Sequence, residues 1–196
     1  MKINSKEWWD DEFLVNWKVG IDGRLQTAYY CSLVLSYIHE NILEEIQKAD
    51  GILDFGCALG QSTNILYSIN HNVLGYDFST QAIVEAKKHF KHLCFTNIYP
   101  KNDTFDITYI SNVLEHFENP FDILNDIKRI TKKYIIILVP YNQQLTQYHV
   151  HSFYKDYFEK NKLDGFFQIY QAIIQTYNKK LDGGQQILYI LEKFEN

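Results

Sequence analysis

Cysteine is scarce in this chain, which carries three cysteines among its 196 residues. Cys31, Cys57 and Cys94 are far apart and form no C-x-x-C pair, so neither a disulfide framework nor a zinc knuckle is indicated. Few, scattered cysteines are typical of proteins that work in a reducing compartment. The sequence therefore predicts a cytoplasmic protein.

Long apolar runs and an excess of basic residues are also missing. No segment approaches the ~20 apolar residues of a membrane span, and the apolar run Ile135 to Val139 suits a core strand. Residues 1–11 lack the apolar stretch of a signal peptide. The net charge of −5 argues against a protein that mainly grips nucleic-acid phosphates. We predict no membrane span and no nucleic-acid partner.

What the chain does contain is an alternation of apolar runs and helical patterns, over a length that suits one domain. Runs typical of buried strands lie at about 52–55, 73–78, 93–96, 105–110 and 134–139. Alternating strands and helices favour a mainly parallel sheet. Residues 166–174 and 185–191 follow as two closing strands. Asn178, Asp182 and Gly183-Gly184 separate them, which predicts a hairpin.

A turn of small residues follows the first predicted strand. Gly56, Ala58 and Gly60 occur at alternate positions, where small residues let the backbone turn sharply and approach a ligand closely. The next helix then presents free N–H groups to this turn. The spacing fits neither the G-x-G-x-x-G dinucleotide fingerprint nor a P-loop.

An acidic residue ends the second predicted strand. Asp77 lies 21 residues beyond Gly56, a distance at which an acid is placed to accept both hydroxyls of a ribose. Phe78 offers an apolar face for adenine, and Ser79 is the predicted N-cap of the next helix. The plainer alternative is that Asp77 only complements the helix N-terminus.

Three stretches resemble motifs of the class I S-adenosylmethionine (SAM) dependent methyltransferases. The run Asp54 to Gly60 resembles motif I, acidic-x-Gly-x-Gly-x-Gly, with Ala58 at the middle small position. Asn97-Ile98 stands where the family often has Asp and an apolar residue. Ser111 to Phe117 resembles the motif after strand four in small-molecule methyltransferases of the ubiquinone-biosynthesis kind. The resemblance covers roughly residues 45–155.

This resemblance implies a fold and a cofactor. The fold is α/β and Rossmann-like, with a seven-stranded sheet that is parallel except for strand seven and has helices on both faces. The cofactor is SAM, with S-adenosylhomocysteine as product. The residues that the motifs assign to the cofactor are Asp54, Gly56, Ala58, Gly60, Asp77, Phe78, Asn97, Ile98, Asn112 and Val113.

The acceptor is expected to be a small molecule. The N-P-P-Y type sequence of amino-methylating nucleic-acid enzymes is absent, and so is the Pro-Cys of cytosine C5 enzymes. By analogy with the family, the reaction is O-methylation of a sugar, a polysaccharide precursor or a specialised metabolite. A catalytically silent SAM-binding or partner-activating subunit is the main alternative. A nicotinamide-dependent oxidoreductase is disfavoured by the glycine spacing, and a homodimer stays open.

Three histidines are candidate general bases. His116 follows predicted strand four, while His149 and His151 follow strand five, so all three belong to the carboxyl edge of the sheet. A neutral imidazole suits proton removal from a hydroxyl near pH 7. The alternative is that each hydrogen-bonds the loop backbone or the substrate without moving a proton.

Some of these histidines could instead be ligands of a divalent metal ion. In some ubiquinone-type O-methyltransferases, carboxylates and a His of the motif after strand four are implicated in divalent metal binding. Glu115 and His116 are present here, but Asn112 stands in place of one carboxylate. His149 and His151 lie more than thirty residues further on, and no compact ligand set is visible in the sequence. We therefore predict no metal.

The regions flanking the core are assigned by pattern. Residues 1–26 are rich in Trp and Phe and are predicted to form a lid that also shapes the substrate site; simple packing of a helix is the alternative. Asp22-Gly23 predicts a turn, and Leu25 to Lys48 a single long helix. Residues 49–140 form the predicted SAM-binding core, and 141–196 a substrate-side loop, helix and hairpin, all within one domain.

Overall fold

The computed structural model describes residues 1–19, 23–101, 104–176 and 184–194. The chain divides into two compact units, Met1–Tyr99 and Pro100–Asn196. Asp22 of the predicted turn and most of the predicted hairpin connection, residues 177–183, lie outside the described residues. In the described part of the chain, no helix is long and apolar enough to cross a membrane.

Helices and strands alternate along most of the chain. The helices are α1 (Lys6–Leu14), α2 (Asn16–Val19), α3 (Gly23–Tyr37), α4 (Glu40–Lys48), α5 (Gln61–Tyr67), α6 (Thr80–His89), α7 (Pro120–Ile130) and α8 (Tyr157–Lys160). The strands are β1 (Ile52–Phe55), β2 (Val73–Tyr76), β3 (Cys94–Thr96), β4 (Phe105–Ser111), β5 (Thr131–Pro140), β6 (Phe166–Gln175) and β7 (Gln185–Lys193). A 3-10 turn, Leu114–His116, follows β4.

The strands form one seven-stranded sheet in the order β3-β2-β1-β4-β5-β7-β6. Strand β2 pairs in parallel with both β1 and β3, and β4 pairs in parallel with β5. Strand β7 is antiparallel to both β5 and β6. The predicted sheet, parallel except for strand seven, is confirmed.

The first unit is built around β1, in which all four residues are buried. One apolar cluster lies between α6 and the sheet and consists of Cys57, Ile83, Ala86, Leu93 and Phe95. Helix α6 supplies two of these residues because its apolar positions recur at helical spacing, while Ser79 caps its first turn by accepting a hydrogen bond from the Ala82 N–H.

The second unit is built around β4, β5 and β7. Residues 135–140 of β5 and 186–191 of β7 are all buried, as expected for strands that are covered on both faces. Helix α7 covers part of this core with Leu124, Ile127 and Ile130. The helix begins at Pro120, because the Asn119 side chain accepts a hydrogen bond from the Phe121 N–H and Pro120 occupies the first helical position.

The prediction of one helix from Leu25 to Lys48 is wrong. Helix α3 ends at Tyr37, and α4 begins at Glu40 after His39 adopts an extended backbone with ψ of 152°. The Asn41 side chain accepts hydrogen bonds from the Ile42 N–H at 2.9 Å and pairs with His39 Nδ1 at 3.1 Å. An Asn side chain that hydrogen-bonds nearby backbone competes with continuation of a helix. The apolar residues keep their helical spacing on both sides of His39, although the helix is interrupted there.

Candidate functional site

The turn after β1 has the left-handed backbone that the alternating small residues predict. Gly56, Ala58 and Gly60 have φ of 77°, 48° and 88°. The N–H groups of Gly56 and Cys57 both donate to the Tyr76 carbonyl, at 2.8 and 2.9 Å, which holds the turn against the end of β2. Ala58 is the one member with a side chain, and a left-handed conformation costs a non-glycine residue about 1–2 kcal/mol.

The last glycine of the turn has a packing role. A Cβ at Gly60 would lie 2.6 Å from the Phe95 ring and 3.2 Å from Phe90. A Cβ at Gly75 on β2 would meet the same Phe95 ring at 2.5 Å and Thr63 Oγ1 at 2.8 Å. Glycine at these two positions therefore makes room for a buried phenylalanine, a reason that the sequence motif alone does not reveal.

The acid of the turn motif points into the protein. Asp54 is buried and accepts hydrogen bonds from the Ser62 and Thr63 hydroxyls, both at 2.6 Å. Burial raises the pKa of Asp54 to about 6, and the two hydroxyl hydrogen bonds act in the opposite direction. Asp54 thus fastens the start of α5 to β1.

Asp77 ties the end of β2 to the same turn. Its carboxylate accepts hydrogen bonds from the Ala58 N–H at 3.0 Å and from the Ser79 N–H at 2.9 Å. Burial raises the pKa of Asp77 to about 7; the two N–H bonds oppose this shift, and the charges of Asp54 and Asp10 add to it. The structure thereby brings Asp77 into contact with the small-residue turn.

The residues predicted to surround adenine lie at the ends of β2 and β3. Phe78 is half-buried, and Ile98 is 76% exposed, which is unusual for an isoleucine. The exposed Asn97 donates a hydrogen bond from its side-chain amide nitrogen to Thr80 Oγ1 at 3.1 Å. The side-chain carbonyl oxygen of Asn97 takes no part in this bond. The sequence missed Tyr99, whose ring packs edge-on against Tyr76 with centroids 5.6 Å apart.

The N-terminal helices pack directly on the turn after β1. The apolar side chains involved are Trp9, Phe13, Trp17, Ala58, Leu59 and Ala82. The rings of Trp9 and Phe13 stack at 5.5 Å between centroids, and Phe13 meets Trp17 edge-on at 4.8 Å. The predicted lid segment is thus in contact with Ala58, while its role as a lid stays a prediction.

A polar contact that the sequence did not reveal strengthens this packing. Asp10 of α1 accepts hydrogen bonds from Ser79 Oγ at 2.6 Å and from the Gln81 N–H at 3.1 Å. Lys6 forms a salt bridge to the same carboxylate at 2.6 Å. The i, i+4 spacing of Lys6 and Asp10 signals their pairing, but nothing in the sequence links Asp10 to a residue 69 positions away.

In the second unit, Asn112 and Val113 connect β4 to the 3-10 turn. Asn112 has a positive φ of 52°, its N–H donates to the Leu138 carbonyl at 2.8 Å, and its amide nitrogen donates to Ser111 Oγ at 3.2 Å. Both Asn112 and Val113 are half-buried. Asn tolerates this left-handed backbone better than most residues, which accounts for the residue type independently of any ligand.

The structure brings His116 and His149 together beside Glu115. The two imidazole rings meet edge-on with centroids 4.9 Å apart. One potential ligand atom from each of the three residues lies within 4.8 Å of the others. Desolvation lowers the pKa of His116 to about 4, with a smaller contribution from His149 in the same direction and an opposing hydrogen bond to Tyr148. His116 is therefore neutral at pH 7.

His151 points to different partners. Its Nε2 lies 2.8 Å from the Tyr157 hydroxyl, and a backbone hydrogen bond to Glu118 uses the ring as well. Burial lowers the pKa of His151, while the Glu118 hydrogen bond opposes the shift. Of the three candidate bases, His151 is thus the one built into an aromatic cluster with Phe153 and Tyr157.

A sheet in this strand order, with a small-residue turn after its first strand that is held by an acid from the second, defines a Rossmann-like cofactor-binding domain. Residues 53–138 match the family model described as "Methyltransferase domain". This stretch of the chain is therefore similar to methyltransferase domains.

Two curated proteins illustrate the similarity in sequence. An uncharacterized protein of Methanocaldococcus jannaschii is 27% identical over 168 residues, covering 79% of this chain and 67% of that protein. A ubiquinone biosynthesis O-methyltransferase of Glaesserella parasuis is 24% identical over 144 residues, covering 66% of this chain and 56% of the enzyme. The chain thus spans little more than half of that enzyme's length.

Solved structures with the same fold include two methyltransferases. The magnesium protoporphyrin IX methyltransferase of Synechocystis, crystallised with bound SAM, superposes with a TM-score of 0.70 at 13% identity over 98% of both chains. The N-methyltransferase NodS of Bradyrhizobium japonicum superposes with a TM-score of 0.63 at 14% identity, covering 79% of this chain and 94% of NodS. At these identities the likeness shows the fold.

Proposed function

We propose that this chain transfers the methyl group of SAM to an oxygen of a small molecule such as a sugar, a polysaccharide precursor or a specialised metabolite. The match to methyltransferase domains supports methyl transfer, and the similarity to a ubiquinone biosynthesis O-methyltransferase supports an oxygen of a small molecule as acceptor. The proposal includes the ten cofactor residues and the three histidines named from the sequence.

One observation carries the cofactor part of the proposal. The Asp77 carboxylate accepts N–H groups from Ala58 and Ser79, so the turn after β1 and the end of β2 are fixed to each other before any ligand binds. A carboxylate held in this way presents its remaining lone pairs in a defined direction. That is the arrangement needed to accept the two hydroxyl groups of a ribose.

The proposed reaction needs little chemistry from the protein. An acceptor oxygen attacks the methyl carbon, the carbon–sulfur bond breaks, and its electron pair stays on sulfur to give S-adenosylhomocysteine. The hydroxyl proton passes to a base or to water. Aligning two bound reactants contributes about 7–11 kcal/mol to lowering such a barrier, whereas a general base adds about 10²–10⁴-fold.

Among the histidines, the contacts favour different roles in proton transfer. A base works best when its pKa lies near the working pH, and the pKa of about 4 makes His116 a weak proton acceptor. His149 hydrogen-bonds Gln143 Oε1 through Nδ1 at 2.6 Å, which leaves Nε2 as its basic atom. His149 is therefore the strongest candidate of the three, because His151 already engages Tyr157.

The first test is the affinity for S-adenosylhomocysteine, measured by calorimetry. We expect Asp77→Ala to weaken binding at least 100-fold, because the substitution removes the ribose acceptor and two backbone contacts. Asp106→Ala is the matched control, since Asp106 is an equally buried acid on β4, outside the proposed site. Equal affinity of wild type and Asp77→Ala, with both variants folded by circular dichroism, would remove the ribose assignment.

A turnover assay separates catalysis from the silent-subunit alternative. The silent-subunit alternative is favoured by the surroundings of two histidines. His116 has a lowered pKa and His151 already contacts the Tyr157 hydroxyl, so neither is suited to removing a proton. Methyl transfer to hydroxyl acceptors in metabolite pools, followed with radiolabelled SAM, supports the enzyme. Tight S-adenosylhomocysteine binding without any transfer supports the silent subunit.

A further inference from the structure

Two imidazoles and a carboxylate converge in the second unit. Glu115 and His116 belong to the 3-10 turn after β4, and His149 belongs to the loop after β5. One potential ligand atom of each lies within 4.8 Å of the other two. We infer that Glu115, His116 and His149 form a binding site for one divalent transition-metal ion, with His149 as the ligand that decides which metal binds.

The hydrogen bonds on the ring nitrogens fix the tautomers that a metal site requires. His116 Nδ1 lies 2.9 Å from the Tyr148 carbonyl, and His149 Nδ1 lies 2.6 Å from Gln143 Oε1. Both partner atoms are oxygens that only accept, so both Nδ1 atoms carry the hydrogen and each Nε2 carries a lone pair. Metal-bound histidines in proteins show this same outer contact, in which the second ring nitrogen donates to a carbonyl or carboxylate.

The backbone holds the His149 loop beside Glu115. The N–H groups of Val150 and His151 both donate to the Glu115 carbonyl, at 2.9 and 3.1 Å. The His149 N–H donates to Thr146 Oγ1, and the His149 carbonyl accepts from the Thr146 N–H, both at 2.9 Å. The third ligand is therefore fixed next to the other two by main-chain contacts that need no metal.

The separation of the three groups is close to that of a filled site. Bonds of about 2.0–2.1 Å to a tetrahedral ion place neighbouring donor atoms about 3.3 Å apart. The present limit of 4.8 Å exceeds this by about 1.5 Å, so the three side chains would move toward one another by up to that amount around an ion. Glu115 is 1% exposed, and a cation bound there would offset the desolvation of its carboxylate.

The donor set selects the kind of metal. Mg²⁺ prefers oxygen ligands, whereas two imidazoles and a carboxylate suit Zn²⁺, Co²⁺ or Fe²⁺. Two of the three donors are imidazole nitrogens, so we expect Zn²⁺ and Co²⁺ to bind at least 100-fold more tightly than Mg²⁺. This contrasts with the absence of a metal expected from sequence, where more than thirty residues separate His149 from His116.

A bound ion with an open position would act as a Lewis acid and lower the pKa of a coordinated hydroxyl. That consequence rests on the proposed O-methylation, because it requires a hydroxyl acceptor. It takes the place of His149 as general base, since an Nε2 bound to a metal has no lone pair for a proton. The binding site itself does not depend on the proposed function and can be tested without SAM or an acceptor.

The test is calorimetry on tag-free, metal-stripped protein with Zn²⁺, Co²⁺ and Mg²⁺ in turn, together with visible absorption of the Co²⁺ form. We expect one Zn²⁺ or Co²⁺ per chain and ligand-field bands from Co²⁺. Glu115→Gln and His149→Ala should each weaken binding at least 10-fold. Gln143→Leu, which removes only the outer contact of His149, should weaken binding about 10–100-fold.

His71→Ala is the control, because His71 is exposed, lies in the first unit and stacks on Tyr67; we expect unchanged affinity. Failure of the wild type to bind Zn²⁺ or Co²⁺ saturably overturns the site, whether or not any variant folds. Wild-type affinity in His149→Ala overturns the role of that ligand. S-adenosylhomocysteine binding by the metal-free chain is measured separately, so loss of the metal site and loss of the proposed function give different results.

Discussion

At the scale of single residues, the first unit contains two acidic side chains that are almost fully buried. Asp54 and Asp77 are 1% and 4% exposed, and burial raises their pKa values to about 6 and about 7. Asp54 accepts hydrogen bonds from Ser62 and Thr63 of α5, and Asp77 accepts them from the N–H groups of Ala58 in the turn and of Ser79 at the start of α6. These contacts fix the turn geometry, but the ionised carboxylates remain costly in the ligand-free protein.

This cost predicts how stability depends on pH. An unfolded Asp loses its proton near pH 4, while folded Asp77 keeps it up to about pH 7. The folded chain then binds the extra proton, so the free energy of unfolding falls as pH rises from about 4 to about 7. At about 1.4 kcal/mol per pKa unit, Asp77 contributes up to about 4 kcal/mol to this fall, measurable by urea unfolding at several pH values without ligand.

Asp77→Asn isolates the contribution of this one group, because an amide does not titrate. The quantity to compare is the slope of the free energy of unfolding against pH. The free energy itself also changes in the variant, because an N–H contact of Asp77 is lost. We expect a flatter slope between pH 5 and 7 in the variant. Parallel slopes for wild type and variant would show that the Asp77 pKa is not raised in the folded chain.

At the scale of elements, the sequence predicts what local pattern controls. The apolar runs predict all seven strands to within three residues at each end, and the Ser79 cap predicts where α6 begins. Local pattern also places Gly56 and Gly60 in a turn. It does not predict the break between α3 and α4, because the apolar stripe continues across His39.

Contacts between residues that are far apart in the sequence could not be predicted from it, for a different reason. Asp10 meets Ser79, and His149 meets His116, only because the chain folds back on itself. Residue type and spacing carry no information about these pairings. The packing reason for Gly60 escapes in the same way, since the Phe95 ring that excludes a Cβ belongs to another strand.

The contact between α1 and α6 is expected to stabilise the first unit measurably. Asp10→Ala removes the acceptor of the Ser79 hydroxyl and of the Gln81 N–H, a loss comparable to that of a helix cap. We expect the free energy of unfolding to fall by about 1 kcal/mol, with a shift in tryptophan emission because Trp9 packs against Ala58. Urea unfolding followed by fluorescence measures both.

Asp11→Ala is the matched control for this experiment, since Asp11 is the exposed neighbour on the same helix. It removes the same charge and leaves the contacts with α6 intact. If the two alanine variants lose equal stability, the effect belongs to the charge or propensity of α1 and the contact with Ser79 contributes nothing.

At the scale of the whole molecule, the outermost strand carries exposed apolar side chains. Phe167, Ile169 and Ile173 of β6 are 39%, 38% and 41% exposed, and a register shift between Gln168 and Tyr170 separates the first of them from the last. Strand β6 ends the sheet order, and an exposed edge strand of ten residues is a site where chains associate. This is the place where the homodimer left open by the sequence is best tested.

We expect the Ile169→Lys, Ile173→Lys double variant to weaken self-association at least tenfold, because two like charges on each chain oppose pairing of the strands. Light scattering after size-exclusion chromatography at several concentrations measures it. Val84→Lys is the control, since Val84 is 41% exposed on α6, away from β6. A wild-type protein that stays monomeric at high concentration contradicts the homodimer.

The phenylalanine of β3 limits which substitutions the residues around it can accept. Because the Phe95 ring occupies the space above both Gly60 and Gly75, a methyl group at either position requires that ring to shift. At position 75 the Thr63 hydroxyl, 2.8 Å from an added Cβ, must move as well, so a smaller residue at position 95 does not by itself make room for alanine. Substitutions at these positions are thus coupled through packing, and a glycine that resembles a cofactor residue is also required by the bulk of its neighbours.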